Sequence, residues 1–312
     1  MVDETRKGIR IMEAVQAIQQ LKKERNALIL AHFYQLGEIQ DIADVVGDSL
    51  ELAKAARDAK EDVIVFCGVR FMAETAKILN PDKTVLLPAL DAGCPMADMI
   101  TAEEVLRLRE EHPNAAVMCY VNSDVAVKAV SDICCTSSNA LKIAMSLEEE
   151  EIIFVPDQCL GSYIAQFLPQ KRFILAEGFC PTHCRIKPED VIAARKILPN
   201  AKVLVHPECL PDVVSLSDFA GSTSQIIAEA MRSDAKEFLI GTEEGVLHRL
   251  NTLCPDKKFY NTGRTQVCPN MKKTRLENVL FALERMQHEI TVEETLAQQA
   301  LKSLNRMFSV PV

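Results

Sequence analysis

The sequence predicts an α/β fold built from three related domains, each with its own parallel sheet. Two series of landmarks along the 312 residues support this prediction. The dipeptide Cys-Pro occurs four times, and three of its occurrences, beginning at Cys94, Cys180 and Cys268, lie at intervals of 86 and 88 residues. Short apolar runs typical of buried strands begin at intervals of 88 and 86 residues, at Ala27, Ala115 and Ala201. Because the two series agree, we interpret the chain as three pseudo-threefold-related copies of one domain-sized unit.

The segments between these landmarks alternate between strand and helix patterns, which indicates βαβ units and parallel sheets. Each repeat is predicted to continue with a second strand and a helix, in VIVFCGVRFMAETAKIL, DICCTSSNALKIAMSL and DFAGSTSQIIAEAM. A third strand is predicted in KTVLLP, EIIFVP and EFLIG. The predicted organisation is an N-terminal helix with the first repeat in 1–100, the second repeat in 101–184, the third in 185–270, and C-terminal helices packed on the outside in 271–312. One of these helices is predicted to begin at a capping box of Thr291 and Glu294.

The composition narrows the class of protein. The net charge of −9 argues against a nucleic-acid or anionic-membrane surface. The sequence contains no apolar run of about 18 residues, so we expect no membrane-spanning helix. It contains no apolar segment near the start that would indicate a secretory signal. We therefore expect a cytoplasmic protein. Eleven cysteines in a reducing compartment favour metal binding or redox chemistry over a disulfide scaffold. The alternative for most of them is a small buried apolar side chain.

Three equivalent cysteines on three equivalent domains can meet near a pseudo-threefold axis. Thiolates that face one point suit a soft metal, but a structural zinc site usually needs a fourth protein ligand. A [4Fe–4S] cluster has four irons, so cysteines at positions 94, 180 and 268 would leave one iron open as a Lewis acid. The alternative is that Cys94, Cys180 and Cys268 are buried at domain corners, where proline sets a turn.

Polar side chains follow the first predicted strand of every repeat, in pairs two residues apart. The pairs are His32 with Tyr34, Tyr120 with Asn122, and His206 with Glu208. Residues at i and i+2 of a strand point to the same face, and ligands of open parallel sheets bind beyond the carboxyl ends of the strands. We therefore expect these six side chains to line a substrate site, although a single such histidine is more often a hydrogen-bonded structural residue.

Hydroxyl residues precede a predicted helix in each repeat. They lie in the segments Gly47-Asp48-Ser49, Thr136-Ser137-Ser138 and Gly221-Ser222-Thr223-Ser224. Free N–H groups and hydroxyls at helix starts bind carboxylate or phosphate, so three such sites would suit a substrate with several negative groups. The alternative is that these residues are ordinary N-caps.

A longer series of motifs lies in order between residues 27 and 279. The motifs are ILAHFYQ, GDSLELA, FMAETAKILNP, CPMAD, YVNS, CTSSNA, EGFCPTH, VHPEC, GSTSQI, IGTEEG and VCPNMKKTRLENV. In these motifs the chain resembles the quinolinate synthase family, the NadA-type enzymes of NAD biosynthesis. The resemblance implies three α/β domains in a triangular arrangement around a central, oxygen-sensitive [4Fe–4S] cluster. It puts Cys94, Cys180 and Cys268 at the three cluster positions, with one open iron.

The resemblance also implies a reaction and its residues. Iminoaspartate and dihydroxyacetone phosphate would condense to quinolinate, with loss of phosphate and water. Tyr34, His206 and Glu208 would be catalytic, with Tyr34 assisting proton transfer and Glu208 the candidate general base near the iron. The residues implied to bind substrate are His32, Ser49, Tyr120, Asn122, Ser137, Thr223 and Met271.

Other functions remain open on the residues alone. A different dehydratase with the same open iron would differ only in substrate, and an electron carrier would need four cysteine ligands. A radical enzyme is disfavoured, since no CxxxCxxC motif occurs. We expect small-molecule partners, no nucleic acid, no membrane, and transient contact with the enzyme that supplies iminoaspartate.

Overall fold

The computed structural model describes residues 2–310, with side chains described for residues 11–310. In this part of the chain the strands form three four-stranded parallel sheets with helices between the strands. The predicted α/β fold class is therefore confirmed. Among the described residues, no helix is both long enough and apolar enough to cross a bilayer.

The first sheet is formed near the start of the chain. Its elements are α1 (Val2–Glu24), β1 (Ala27–His32), α2 (Gly37–Ile42), β2 (Val45–Gly47), α3 (Ser49–Arg57), β3 (Val63–Cys67), α4 (Arg70–Leu79) and β4 (Thr84–Leu86). The second sheet follows with α5 (Ala102–Glu111), β5 (Ala116–Tyr120), α6 (Val125–Ala129), β6 (Ile133–Cys135), α7 (Ala140–Ser146), β7 (Glu151–Val155), α8 (Gln158–Ala165) and β8 (Arg172–Leu175).

The third sheet repeats the same order of elements after one additional short helix. Its elements are α9 (Pro181–Cys184), α10 (Pro188–Ile197), β9 (Lys202–Val205), α11 (Pro211–Ser215), β10 (Phe219–Ala220), α12 (Thr223–Arg232), β11 (Glu237–Gly241), α13 (Val246–Leu253) and β12 (Lys258–Asn261). Two helices complete the chain, α14 (Leu276–Arg285) and α15 (Glu294–Ser309).

The chain divides into two compact units. The first unit contains the chain up to Gly93 together with Pro269–Val292, and it holds the first sheet. The second unit contains Cys94–Cys268 and the chain from Glu293 onward, and it holds the second and third sheets. The boundaries predicted between the three repeats stay a prediction.

All three sheets have the same strand order: the second strand lies at one edge, followed by the first, third and fourth. The expectation of three strands per repeat is therefore wrong. VIVFC forms the third strand β3, so its counterparts are β7 and β11, and the counterpart of β6 and β10 is the short strand β2. β2 has only three residues, of which Val45 and Val46 are partly buried, so it carries too little apolar pattern to be recognised.

The core of the first unit lies between the sheet and its flanking helices. Ile29 and Ala31 lie two residues apart on β1, so their side chains point to the same face of the sheet. There they pack with Ile18 of α1 and with Val279 and Leu283 of α14. All five side chains are completely buried. Burial of one such large aliphatic side chain contributes about 1.5–3 kcal/mol, so this face accounts for much of the unit's stability.

The last helix, α15, packs on α6 and β6 in the second unit and seals a polar cluster there. Lys128 is completely buried and donates to the Ser123 carbonyl. Sγ of Cys134 lies 3.3 Å from the Ser303 hydroxyl of α15. Cys119 is paired with Cys134 across the neighbouring strands β5 and β6. The cluster therefore joins a buried ammonium group to two buried thiols.

The start of α15 differs from the expected capping box. The N-cap is Glu293, whose carboxylate accepts hydrogen bonds from the N–H groups of Thr295 and Leu296 at 2.9 and 2.8 Å. The helix therefore begins at Glu294, and Thr291 lies before it. A carboxylate at the N-cap satisfies the free N–H groups of the first turn as well as a hydroxyl does.

An aspartate bridge occurs at the amino end of each sheet, directly before the second strand. The aspartate accepts a hydrogen bond from a backbone N–H of the first strand, in the pairs Asp44 with Ile29 at 2.9 Å, Asp132 with Val117 at 2.7 Å, and Asp218 with Val203 at 2.8 Å. Each aspartate also forms an ion pair with a cation on the helix that precedes the first strand, at 2.6–2.9 Å. These cations are Lys22 of α1, Arg109 of α5 and Arg195 of α10. The three bridges stabilise the same strand contact in every repeat.

A lysine anchor also repeats, directly before the fourth strand. Its ammonium group donates to backbone carbonyls at or just after the end of the helix that follows the second strand, namely α3, α7 or α12. The pairs are Lys83 with Ala59 and Glu61, Lys171 with Leu147 and Glu149, and Lys257 with Ala230 and Ser233. The distances are 2.6–2.8 Å. A cation at a helix C-terminus satisfies carbonyls that have no partner within the helix.

Candidate active site

A buried carboxylate, Glu208, lies beyond the carboxyl end of β9 in the second unit. Its Oε1 accepts a hydrogen bond of 2.5 Å from the Tyr120 hydroxyl, and its Oε2 lies 2.7 Å from Nδ1 of His183. Tyr120 ends β5, the corresponding strand of the second sheet, and His183 belongs to α9. Three chain segments therefore meet at one carboxylate, beyond the strand ends where parallel sheets bind ligands.

His206 is oriented by the backbone next to it. Its Nδ1 accepts a hydrogen bond of 3.2 Å from the N–H of Glu208, so the neutral ring carries its proton on Nε2. Nε2 lies 3.2 Å from the Ser137 hydroxyl. The ring also stacks on His183 with a centroid distance of 4.7 Å. The predicted residues Tyr120, Ser137, His206 and Glu208 thus form one connected group.

The charge state of Glu208 follows from this group. Burial alone raises the pKa of Glu208, because a buried carboxylate loses its hydration. Electrostatic interactions with His206 and His183, together with hydrogen bonds from His183 and Tyr120, outweigh burial and lower the pKa below its usual value. Glu208 is therefore a carboxylate at neutral pH, and it can accept a proton or bind a cation.

The predicted cluster cysteines are half-buried and all lie in the second unit. Burial raises the pKa of Cys94 to about 12, and the charge of Cys268 adds to the rise. Burial also raises the pKa of Cys180, with further contributions from Glu208 and Cys94. The three thiols therefore influence one another electrostatically within one unit that also holds Glu208. Three soft donors in one unit with a carboxylate fit an iron–sulfur cluster.

A second donor set overlaps with the first. Ligand atoms of Cys180, His183 and Glu208 all lie within 4.8 Å of one another. Nδ1 of His183 is 3.1 Å from Sγ of Cys180, while Nε2 is 2.8 Å from the Thr242 hydroxyl. When the Thr242 hydroxyl accepts the ring proton from Nε2, Nδ1 can bind a metal instead of donating to Glu208. Thiolate, imidazole and carboxylate together could hold a single zinc or iron ion.

The predicted residues of the first unit form a local group of their own. Nδ1 of His32 accepts a hydrogen bond of 3.1 Å from the N–H of Tyr34, the same arrangement as His206 with Glu208. Lys272 donates to the Tyr34 carbonyl at 2.6 Å. Met271 is buried, and its sulfur accepts a hydrogen bond of 3.5 Å from the Gln35 amide.

The three predicted hydroxyl residues are not N-caps. Asp48 caps α3, so Ser49 is the first residue of that helix. Ser222 caps α12, and the buried Thr223 follows it as the first helical residue. Ser137 lies before α7 and contacts His206 instead. The N-cap interpretation is therefore confirmed for Ser222 and wrong for Ser49, Ser137 and Thr223, whose predicted role in anion binding stays a prediction.

Asn122 lies two residues beyond Tyr120. Its Oδ1 is buried and has no hydrogen-bond partner among the described residues. A buried amide oxygen without a partner costs about 1–3 kcal/mol. A bound N–H or O–H donor would remove this cost, which suits the predicted role of Asn122 in substrate binding.

Three residues of this region are absent from the predicted set. His183 lies three residues after Cys180, in the motif CPTHC, and its imidazole beside a candidate metal ligand was the available signal. Asp157 and Glu243 are completely buried and follow the third strands β7 and β11 by two residues. Their equivalence depends on the correct assignment of the third strands. Cys184, whose role the sequence leaves open, lies 3.9 Å from Cys159, sulfur to sulfur.

The fold and this site define an α/β protein with a buried centre of thiol, imidazole and carboxylate groups beyond the strand ends. A family model described as "Quinolinate synthetase A protein" (NadA) matches residues 16–309. The chain belongs to this enzyme family.

Known members of the family are similar to the chain over most of its length. The quinolinate synthase of Alkaliphilus metalliredigens is 55% identical over 296 residues, which cover 95% of this chain and 98% of the relative. That of Caldicellulosiruptor saccharolyticus is 55% identical, with coverage of 94% and 97%. That of Clostridioides difficile is 52% identical, with coverage of 93% and 95%.

Proposed function

We propose that the chain condenses iminoaspartate with dihydroxyacetone phosphate to quinolinate, releasing phosphate and two molecules of water. The family membership supports this reaction, because the similar proteins are named quinolinate synthase. The observation that carries the proposal is the group of Cys94, Cys180 and Cys268 in one unit with the carboxylate of Glu208. That group joins soft metal ligands to a proton acceptor, as dehydration requires.

Cys94, Cys180 and Cys268 would hold a [4Fe–4S] cluster with one iron that no cysteine binds. When bound, this cluster would supply a Lewis-acidic iron that polarises an oxygen of the reactant. Every cysteine follows the fourth strand of its sheet, by eight, five and seven residues. The equivalent positions support a shared role for the three thiols.

Glu208 is the proposed proton acceptor. Its carboxylate is charged at neutral pH and held by Tyr120 and His183, so its two oxygens have fixed positions. Tyr120 can return a proton through its hydroxyl. The unpaired Oδ1 of Asn122 can accept an N–H of the substrate nitrogen. His206 presents its Nε2 proton toward Ser137, and the two can donate to a substrate carboxylate.

The remaining predicted residues keep their proposed roles. Tyr34 would assist proton transfer, while four further residues would bind substrate, namely His32, Ser49, Thr223 and Met271. The proposed partners are the two small substrates and, transiently, the enzyme that supplies iminoaspartate. The cytoplasmic location also stays a prediction.

The reaction is tested with protein reconstituted anaerobically with iron and sulfide. Quinolinate should form only when iminoaspartate and dihydroxyacetone phosphate are both present, with one phosphate released per quinolinate. Loaded protein that makes no quinolinate from the pair would refute the proposal. Product from iminoaspartate with a different triose would instead indicate another dehydratase.

The cluster ligands are tested separately by single replacements of Cys94, Cys180 and Cys268 with serine. Each variant should lose most of its iron and sulfide and at least 100-fold of its activity. Cys254→Ser is a matched control, because Cys254 is a buried cysteine at the end of α13. Normal iron content in any of the three variants would contradict the proposed ligand set.

A further inference from the structure

The loops that carry the three cysteines are held by the same backbone hydrogen bond. The donor lies at or just before the start of the helix that follows each third strand, and it donates its backbone N–H to the carbonyl two residues before the cysteine. The pairs are Arg70 to Ala92 at 2.8 Å, Gln158 to Gly178 at 2.8 Å, and Glu244 to Gln266 at 3.0 Å, the last donor lying just before α13. We call this hydrogen bond the clamp. It holds each loop two residues before its cysteine, and it occurs once in every repeat.

The residue before the clamp differs among the repeats: it is Val69, Asp157 or Glu243. The side chain of Glu243 is completely buried. Its Oε1 accepts the N–H of Cys268 at 3.1 Å, and its Oε2 accepts the N–H of Gly245 at 2.7 Å. Hydrogen bonds to a charged acceptor are among the strong ones. Glu243 therefore joins the Cys268 peptide to the segment that begins α13.

Asp157 occupies the equivalent position in the second repeat. It is completely buried, and its Oδ1 accepts the N–H of Leu160 at 2.6 Å. Its backbone is bridged to Gly178, where a Cβ atom would lie 2.6 Å from the Pro156 carbonyl oxygen. Only glycine permits this close approach. Oδ2 of Asp157 is buried and has no hydrogen-bond partner among the described residues, so this carboxyl does not hold the Cys180 peptide in the way that Glu243 holds that of Cys268.

We infer that Glu243 is a positioning residue that fixes the peptide of Cys268 for metal binding. The inference deepens the proposed function and rests on its cluster ligands. The clamp fixes each loop two residues before the cysteine, and in the third repeat the carboxylate of Glu243 also holds the peptide of the cysteine itself. Val69 has no polar group and the carboxyl of Asp157 accepts from Leu160, so this second restraint is particular to Cys268. Residues that orient metal ligands in this way typically change metal affinity by about 10–100-fold.

The test measures how fast reconstituted protein loses iron to a chelator. Glu243→Ala and Glu243→Met remove both acceptors, and we expect iron loss at least tenfold faster than in the unmodified chain. Glu243→Gln keeps an amide oxygen for the Cys268 N–H, and its rate should stay within about threefold of the unmodified chain. The methionine variant keeps the side-chain volume, so it carries the test if the alanine variant does not fold.

The matched control is Asp218→Ala, which removes a carboxylate that accepts a backbone N–H in the same repeat, away from the cysteine loops. Its iron should leave at the rate of the unmodified chain. Equal acceleration in Asp218→Ala and Glu243→Met would show general destabilisation and overturn the inference. Unchanged rates in the Glu243 variants would also overturn it. If the unmodified chain binds no cluster, the proposed function itself fails, which is a different result.

Discussion

The amino and carboxyl ends of the three sheets differ in how strictly they repeat. At the amino ends, the aspartate bridge and the lysine anchor recur in every repeat with the same residue type and nearly the same distances. At the carboxyl ends, the equivalent positions carry His-x-Tyr, Tyr-x-Asn and His-x-Glu. The repeated chemistry stabilises the fold, and the chemistry that differs between the repeats forms the candidate site.

The carboxylates at the two ends also differ in their surroundings. Asp218 at an amino end is 39% exposed and paired with an arginine, so water and a permanent cation stabilise its charge. Glu208 at a carboxyl end is 4% exposed, and its partners are histidines and a tyrosine. Burying a charge next to groups that can exchange protons is unfavourable for stability. The position of Glu208 among these groups therefore suits a role in proton transfer better than a role in stabilising the fold.

The largest effect is expected for Glu208→Gln. Removal of the proton acceptor should lower kcat by about 10²–10⁴-fold, the usual contribution of a general base. Stability should change little, since the variant also removes a buried charge. The measurement is the rate of quinolinate formation by cluster-loaded protein, with iron content and urea unfolding measured in parallel. A loaded variant with unchanged kcat would show that the proton acceptor is another group.

The next effect is expected at an amino end, for Asp218→Ala. This change leaves the buried N–H of Val203 without an acceptor, which costs about 1–3 kcal/mol of unfolding free energy. Asp218→Asn keeps an acceptor oxygen and should cost less. Activity per loaded chain should be the same in both variants. A loss of kcat in Asp218→Ala at full iron content would contradict the division between the two ends.

Much of this division could be predicted from the sequence. The spacing of the cysteines and of the first strands gave the threefold repeat, because long apolar runs such as ALILAH are unambiguous. The polar residues after those strands were visible for the same reason. Their common face follows from the alternation of side chains along a strand.

Short elements limited what else could be predicted. β2 and β10 have three and two residues, so their pattern cannot distinguish a second strand from a third, and the first repeat was aligned one strand too late. The misalignment did not affect Asp157 and Glu243, because EIIFVP and EFLIG were correctly paired as third strands; it concealed only Val69, their equivalent in the first repeat. His183 was missed because it lies in a four-residue helix that forms after the cysteine, not at a strand end.

A smaller effect is expected for the lysine anchors. Lys257→Met keeps the aliphatic stem but leaves the carbonyls of Ala230 and Ser233 without the ammonium donor, which should cost about 1 kcal/mol. Lys171→Met should cost less by about 0.5 kcal/mol, since Lys257 also donates to the Met231 carbonyl at 3.2 Å and lies 5.7 Å from the centre of the Phe238 ring. Urea unfolding measures both. A difference much larger than this would show that the amino ends are less equivalent than their geometry indicates.

The smallest effect concerns the cluster under α15, where Lys128 stands at the position of Gln40 in the first repeat. Burial raises the pKa of Cys119, but hydrogen bonding to Cys134 and the charge of Lys128 outweigh burial and lower it to about 7. The folded chain therefore releases this proton at lower pH than the unfolded chain, in which a thiol titrates near 8.5. The resulting stability is complete above the unfolded pKa and is lost as the pH falls to about 7.

Unfolding free energy of the unmodified chain should therefore rise between pH 7 and pH 9 by on the order of 1 kcal/mol relative to Cys119→Ser. The serine variant is the appropriate reference, because its hydroxyl keeps a similar shape and does not titrate in this range. Lys128→Met should abolish the same rise, since without the ammonium group burial dominates the thiol. Parallel pH profiles of the unmodified chain and Cys119→Ser would mean that this buried lysine stabilises only the Ser123 carbonyl, as Gln40 does for Gln35 in the first repeat.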